Sequence, residues 1–159
     1  MILVDANLLI YAINQNAPLH RQAKTWCERV LSGTQIVGIP WVAALAFVRI
    51  VTNPRIFPTP LSVEQALAYI DDWLAQPVVK LVSPGDKHWE ILRNLLLQTG
   101  TAANLTTDAH IAALALEQGY NIYSCDNDFK RFTGVKHINP LIEHSSNRIH
   151  EKVGCYNVK

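Results

Sequence analysis

Four aspartates stand where carboxylates could act together: Asp5, Asp108, Asp126 and Asp128. Asp5 directly follows the apolar run Ile2-Leu3-Val4, and Asp126 follows Ile122-Tyr123-Ser124-Cys125. If both runs are strands of a parallel sheet, both acids project from its carboxyl edge, where open α/β folds bind their ligands. Asp128 lies two residues further, close enough to join them or to face solvent. Asp108 opens the segment Asp108-Ala109-His110-Ile111-Ala112-Ala113-Leu114-Ala115-Leu116. Within it Ala109, Ala112, Ala113 and Leu116 form a helical stripe, small enough to pack closely on a sheet and so to fix the start of the helix.

Carboxylates forced together repel and raise one another's proton affinity unless a cation neutralises them. With no Cys or paired His beside them, the set suits a hard cation such as Mg²⁺ or Mn²⁺ and does not suit zinc. Such a cation would acidify a bound water and stabilise charge building on a phosphodiester, so no Ser or Cys nucleophile is required. Each acid also has a plainer reading. Asp108 could be a helix cap or first-turn acid, and Asp126 and Asp128 could belong to a turn.

The elements that must position these acids alternate along the chain in the manner of a parallel sheet covered by helices. Strands are expected at Ile2 to Val4, Ile36 to Ile39, Val78 to Val82, Ile122 to Cys125 and His137 to Ile138. Helices are expected at about 19–32, 41–52, 62–75, 86–99 and 108–118, with a short turn near 127–132. Ser62, with Glu64 and Gln65 behind it, signals a helix start, and Gly33, Gly100 and Gly119 stand where helical patterns stop. Residues 53–60 must be a loop, because three prolines remove donors and bias the residues before them away from helix. From about Glu143 the apolar periodicity is lost, so the division expected is a domain over 1–141 and a tail, partly disordered, over 142–159.

At 159 residues, 49% of them hydrophobic, the chain can bury one real core. Its N-terminus lacks the basic segment, apolar stretch and cleavage site of a signal peptide, and no apolar run approaches the ~20 residues that span a bilayer. A soluble, cytoplasmic protein is therefore expected. Cys27, Cys125 and Cys155 are scattered, without zinc or redox spacing, and read as buried or incidental thiols. A net charge of +1 announces no nucleic-acid binder, so any RNA contact must come from a local patch.

Three segments together resemble the PIN-domain nucleases, and specifically the VapC-type toxins: Ile2-Leu3-Val4-Asp5-Ala6-Asn7, Thr107-Asp108-Ala109-His110-Ile111-Ala112-Ala113, and Ser124-Cys125-Asp126-Asn127-Asp128-Phe129. The stretch from Pro40-Trp41 through Phe47-Val48-Arg49-Ile50-Val51-Thr52-Asn53-Pro54-Arg55-Ile56-Phe57 and the close Asn139-Pro140-Leu141 resemble one VapC subgroup. The resemblance covers about residues 1 to 141. It implies a three-layer α/β/α sandwich with a mostly parallel central sheet, RNA cleavage with Mg²⁺ or Mn²⁺, a cognate antitoxin that holds the enzyme inactive, and a homodimer. It makes Asp5, Asp108 and Asp126 the metal ligands, with Asp128 as a fourth catalytic acid. Asn7 would orient water or Asp5 through its amide.

One departure stands out. Many PIN domains carry a Glu three residues before an Arg on the helix after the second strand, and here that position is Ala46. The resemblance then allows a one-metal enzyme, a slow one, or a non-catalytic PIN-like module that binds RNA or protein. Arg49, inside the apolar run Val42 to Val51, implies a buried charge with a partner and a role in positioning substrate. Arg55, Lys130, Arg131 and Lys136 could contact phosphates or be ordinary surface charge. His110 sits next to Asp108 in sequence, but adjacent helical side chains point apart, so packing or a supporting hydrogen bond is expected of it. The remaining histidines show no metal spacing. Trp26, Trp41, Trp73 and Trp89 are expected in core or dimer packing, with an apolar groove near Trp26 and Trp41 for an antitoxin segment. Two other phosphate-handling folds fit less well. A haloacid-dehalogenase-like phosphatase needs an Asp at position 7, which is Asn7, and a receiver-like domain needs an acid closing a middle strand.

Overall fold

A computed structural model of the chain describes residues 1–57 and 59–142. The elements run β1 (Ile2–Val4), α1 (Ala6–Ile13), α2 (His20–Leu31), β2 (Val37–Pro40), α3 (Trp41–Val51), α4 (Val63–Leu74), β3 (Val79–Val82), α5 (His88–Thr99), α6 (Thr106–Gln118), β4 (Asn121–Tyr123) and β5 (His137–Ile138). Single turns of 3-10 helix lie at Ala103–Leu105 and Asn127–Arg131.

All strand pairs are parallel, in the order β3-β2-β1-β4-β5. From β1 the chain moves outward to β2 and β3, then returns to β4 on the other side of β1. Right-handed crossovers therefore put α1 to α4 on one face of the sheet and α5 and α6 on the other. The strands show this in their alternation: Ile2 and Val4 join the core under the first four helices, while Leu3 and Ile122 join the core under α5 and α6. The result is the three-layer α/β/α sandwich. Among the described residues no helix is long and apolar enough to cross a membrane.

The helix signals acted as chemistry requires. Ser62 Oγ accepts from Gln65 N at 3.2 Å while Gln65 Oε1 accepts from Ser62 N at 2.9 Å, a reciprocal cap that starts α4. Gly100 and Gly119 end α5 and α6 with φ of 68° and 70°, a conformation other residues adopt only under strain.

Some expectations need correction. α1 has no counterpart in the sequence reading: seven of its eight residues are buried, so its apolar positions surround the helix and leave no stripe to detect. β4 ends at Tyr123, so Ser124 and Cys125 belong to the loop. Arg49 is exposed, so the expectation of a buried guanidinium does not hold; its side of α3 faces solvent. Trp26 and Trp73 are buried in the core, but Trp41 and Trp89 are 50% and 69% exposed. Trp26 stacks on Tyr123 at 5.6 Å, and Trp41 is not among the residues of the cavity of about 490 Å³ that Trp26 lines. Cys27 and Cys125 are buried. The tail from Glu143 onward, with Cys155, His144 and His150, lies outside the described residues, as does Pro58 in the proline loop.

Candidate active site

The chain reverses its direction of travel across the sheet between β1 and β4, which leaves a crevice beyond their carboxyl ends. Asp5 leaves β1 at this point and also caps α1, its Oδ1 accepting from Ala6 N at 2.7 Å. Its Oδ2 accepts from Asn7 Nδ2 at 2.8 Å and from Ser124 Oγ at 2.7 Å. Three of the roughly four lone-pair positions of the carboxylate are thus taken by the chain itself. Burial pushes the Asp5 carboxyl up to about 6 from 3.8, with Asp108 and Asp126 acting in the same direction against the Ser124 and Ala6 hydrogen bonds.

Asn7 is buried, and both ends of its amide are used. Nδ2 also donates to Ser124 Oγ at 2.9 Å, and Oδ1 accepts from Cys125 N at 3.3 Å. Asn7 and Ser124 thus both donate to the same oxygen of Asp5. The sequence reading gives Ser124 no role beyond its place in the motif Ser124-Cys125-Asp126-Asn127-Asp128-Phe129. A small hydroxyl residue two places before the loop acid was the available signal.

Asp126 accepts from Asp128 N at 2.9 Å through Oδ1, capping the 3-10 turn at Asn127–Arg131, and the same residue lines the cavity that Asp5 and Asp108 line. Asp108 is the third residue of α6 and is buried. Ala109, Ala112 and Ala113 behind it are fully buried, the close packing that fixes this helix against the sheet. Oxygens of Asp108, Asp126 and Asp128 lie within 4.8 Å of one another. Asp5 is not in that closest set, but it lines the same cavity as Asp108 and Asp126.

That cavity, about 10 Å³, is walled by Asp5, Asn7, Thr107, Asp108 and Asp126 on its polar side. Ala6, Val42, Ala43, Ala46 and Ile111 complete it. Position 46 therefore faces the carboxylates, and an apolar methyl stands there. Arg49, one turn further along α3, is not among the lining residues. His110 turns to the other side, its Nδ1 sharing a hydrogen bond with His88 Nε2 at 2.9 Å. Asp128 pairs loosely with Arg131 at 3.9 Å.

The donor set fits a hard divalent cation: oxygens only, closely spaced, with neither sulfur nor imidazole nitrogen in the group. The volume gives room for about one water-sized occupant.

Comparison with known proteins agrees with this architecture. The family model described as PIN domain matches residues 2–135. Ribonuclease VapC37 of Mycobacterium tuberculosis is 47% identical over 136 residues, 86% of this chain and 94% of that protein. Ribonuclease VapC33 of the same species is 41% identical over 143 residues, 90% of this chain and 100% of that protein. Among solved structures, VapBC2 from Rickettsia felis, bound to a DNA fragment from their promoter, matches with a TM-score of 0.64 at 19% identity. The match covers 87% of this chain and 98% of that one, a likeness of fold. The chain belongs to the PIN-domain family and, within it, groups with the VapC proteins.

Proposed function

We propose that the chain is the ribonuclease toxin of a toxin–antitoxin pair, hydrolysing RNA phosphodiesters with Mg²⁺ or Mn²⁺ held by its carboxylates. The observation that carries this reading is the meeting of Asp5, Asp108 and Asp126 in one small cavity at the switch point of the sheet. The ribonuclease names of its relatives supply the substrate class.

Asp108 and Asp126 would hold the ion, with Asp5 on the β1 side and Asp128 contributing from the turn. When bound, such an ion acidifies a water and offsets charge growing on the phosphate. The chain's own work is positioning. Asn7 and Ser124 fix Asp5 in one orientation, and the alanine stripe of α6 holds Asp108 against the sheet. Lys130 and Arg131 on the 3-10 turn are exposed cations next to Asp128 in the chain, suited to phosphate contacts, whereas Lys136 stands immediately before β5. Arg49 offers the same on α3. With one small cavity and Ala46 in its wall, a single ion fits the site better than two.

An antitoxin would silence such a site by reaching a basic side chain toward the carboxylates, replacing the ion. The likeness to the solved VapBC2 assembly supports an antitoxin partner. A homodimer in the cytoplasm completes the proposal. Ala46 favours a second reading, a module that binds RNA without cutting it. Single-turnover cleavage of RNA with Mn²⁺, wild type beside Asp5→Asn and Asp108→Asn, separates the two. Cleavage lost in both variants supports the enzyme. RNA bound but uncut by wild type supports the module, and cleavage unaffected by either substitution overturns the proposed site.

A further inference from the structure

We infer that Trp41, backed by Leu45, forms the substrate-binding edge of this site, a platform on which an unpaired nucleobase next to the reacting phosphate stacks. The inference rests on the ribonuclease reading and adds to it a residue and a ligand class.

Trp41 opens α3, the helix whose Val42, Ala43 and Ala46 form the apolar wall of the carboxylate cavity. Successive helical residues turn by ~100°, so the row Trp41 and Leu45 lies directly beside the row Val42 and Ala46. The inner row faces the cavity. The outer row faces solvent, Trp41 50% and Leu45 65% exposed. Two large apolar side chains thus border a polar catalytic cavity with no core to serve, whereas Trp26 and Trp73 are buried against Tyr123 and Phe47.

The indole is also well anchored at its base. Pro40, with φ −59°, ends β2 and is buried, and β2 pairs in parallel with β1, which leads into Asp5. The backbone of Trp41 is therefore fixed relative to the cavity, and little backbone freedom is lost when it binds.

The chemistry of the walls selects the ligand. A phosphodiester drawn to the carboxylates must lay its neighbouring nucleotides over the rim. The carboxylate side, with Lys130 and Arg131 on its 3-10 turn, offers charge and polar groups to the phosphates, while the α3 side carries an aromatic face and an aliphatic chain suited to a base. A base exposes such a face only when unpaired, which makes the substrate single-stranded at that position.

The test uses a short oligouridylate RNA carrying one 2-aminopurine, whose fluorescence is quenched on stacking, bound to protein in an Asp108→Asn background that prevents turnover. Parallel cleavage assays use the otherwise wild-type chain. Trp41→Ala should weaken binding about 5- to 100-fold and abolish the quenching. Trp41→Phe should restore most of both. Trp89→Ala, at a still more exposed tryptophan on α5 that does not line the cavity, should change neither. Equal affinity and quenching in wild type and a folded Trp41→Ala overturn the inference while leaving the ribonuclease reading intact. So does a Trp41→Ala protein that binds RNA normally but no longer holds its antitoxin or dimerises. A parent chain that neither binds nor cuts single-stranded RNA overturns both readings together.

Discussion

Ser124 Oγ lies 2.7 Å from Asp5 Oδ2, joining the loop after β4 to the end of β1. Donating to that carboxylate leaves the hydroxyl two acceptor positions, and both are filled, by Asn7 Nδ2 and by Asp126 N, each at 2.9 Å. One buried hydroxyl therefore sets the mutual position of Asp5, Asn7 and Asp126.

Ser124→Ala should lower stability by about 1–3 kcal/mol, because the Asp126 amide and the Asn7 amide lose an acceptor inside the protein. It should also weaken Mn²⁺ binding, since the carboxylates would lose their fixed spacing. Urea unfolding and calorimetric Mn²⁺ titration read the two effects separately. Unchanged affinity in a folded variant would show that Ser124 has no part in the metal geometry.

Asp5 makes the metal-free protein sensitive to pH in an unusual direction. Its carboxyl stands at about 6 in the fold against 3.8 in the open chain, so the fold favours the neutral form. Ionised Asp5 then costs folding roughly 3 kcal/mol above that range. The cost fades as pH falls through about 6 toward 3.8. Without metal, the protein with Asp5 should gain stability relative to Asp5→Asn as pH falls from neutral through about 6 toward 3.8, because residue 5 of the variant does not titrate. Added Mn²⁺ should stabilise the wild type more than the variant at neutral pH. Denaturant midpoints of the two proteins across pH, with and without Mn²⁺, provide the check.

His88 and His110 share one hydrogen bond of 2.9 Å across the α5–α6 seam, and Glu117 lies 3.7 Å from the other nitrogen of His88. Burial holds the His88 imidazole below its usual 6.5, although Glu117 acts against it. The fold favours the neutral ring, so this contribution is present above 6.5 and is lost as pH falls toward the lower, folded value. His88→Asn should reduce stability at neutral pH and flatten the acid side of the profile. Thermal unfolding in EDTA at stepped pH measures both; an acid slope as steep as that of wild type would exclude His88 as its source.

Ala46 lines the carboxylate cavity, so a longer acid there would meet the ion directly. Ala46→Glu should raise Mn²⁺ affinity about ten-fold or more, and lower stability when metal is absent by adding another buried like charge. Its cleavage rate should be equal to or above that of wild type. Mn²⁺ calorimetry and single-turnover cleavage test this, and a folded variant with unimproved affinity would show that position 46 does not reach the ion.

The sequence by itself determined the layered α/β class, the approximate place of each strand, and the location of four acids at strand ends or element starts. These features are local. Alternation, periodicity and capping residues such as Ser62 act within a few neighbours, so they survive in the linear string. Which acids meet was not local. Asp5 and Asp126 come together only because β4 returns to pair beside β1, and Asp108 joins them through the packing of α6.

Tertiary structure alone decided the rest. α1 was hidden because a helix buried on nearly every side has no apolar stripe. Arg49 looked buried because its neighbours in sequence are apolar, yet helical rotation turns it outward. The same rotation exposes Trp41 while burying Ala46 in the cavity wall. Ser124 gained its role from hydrogen-bond partners more than a hundred residues away, Asp5 and Asn7, which no spacing rule along the chain could link to it.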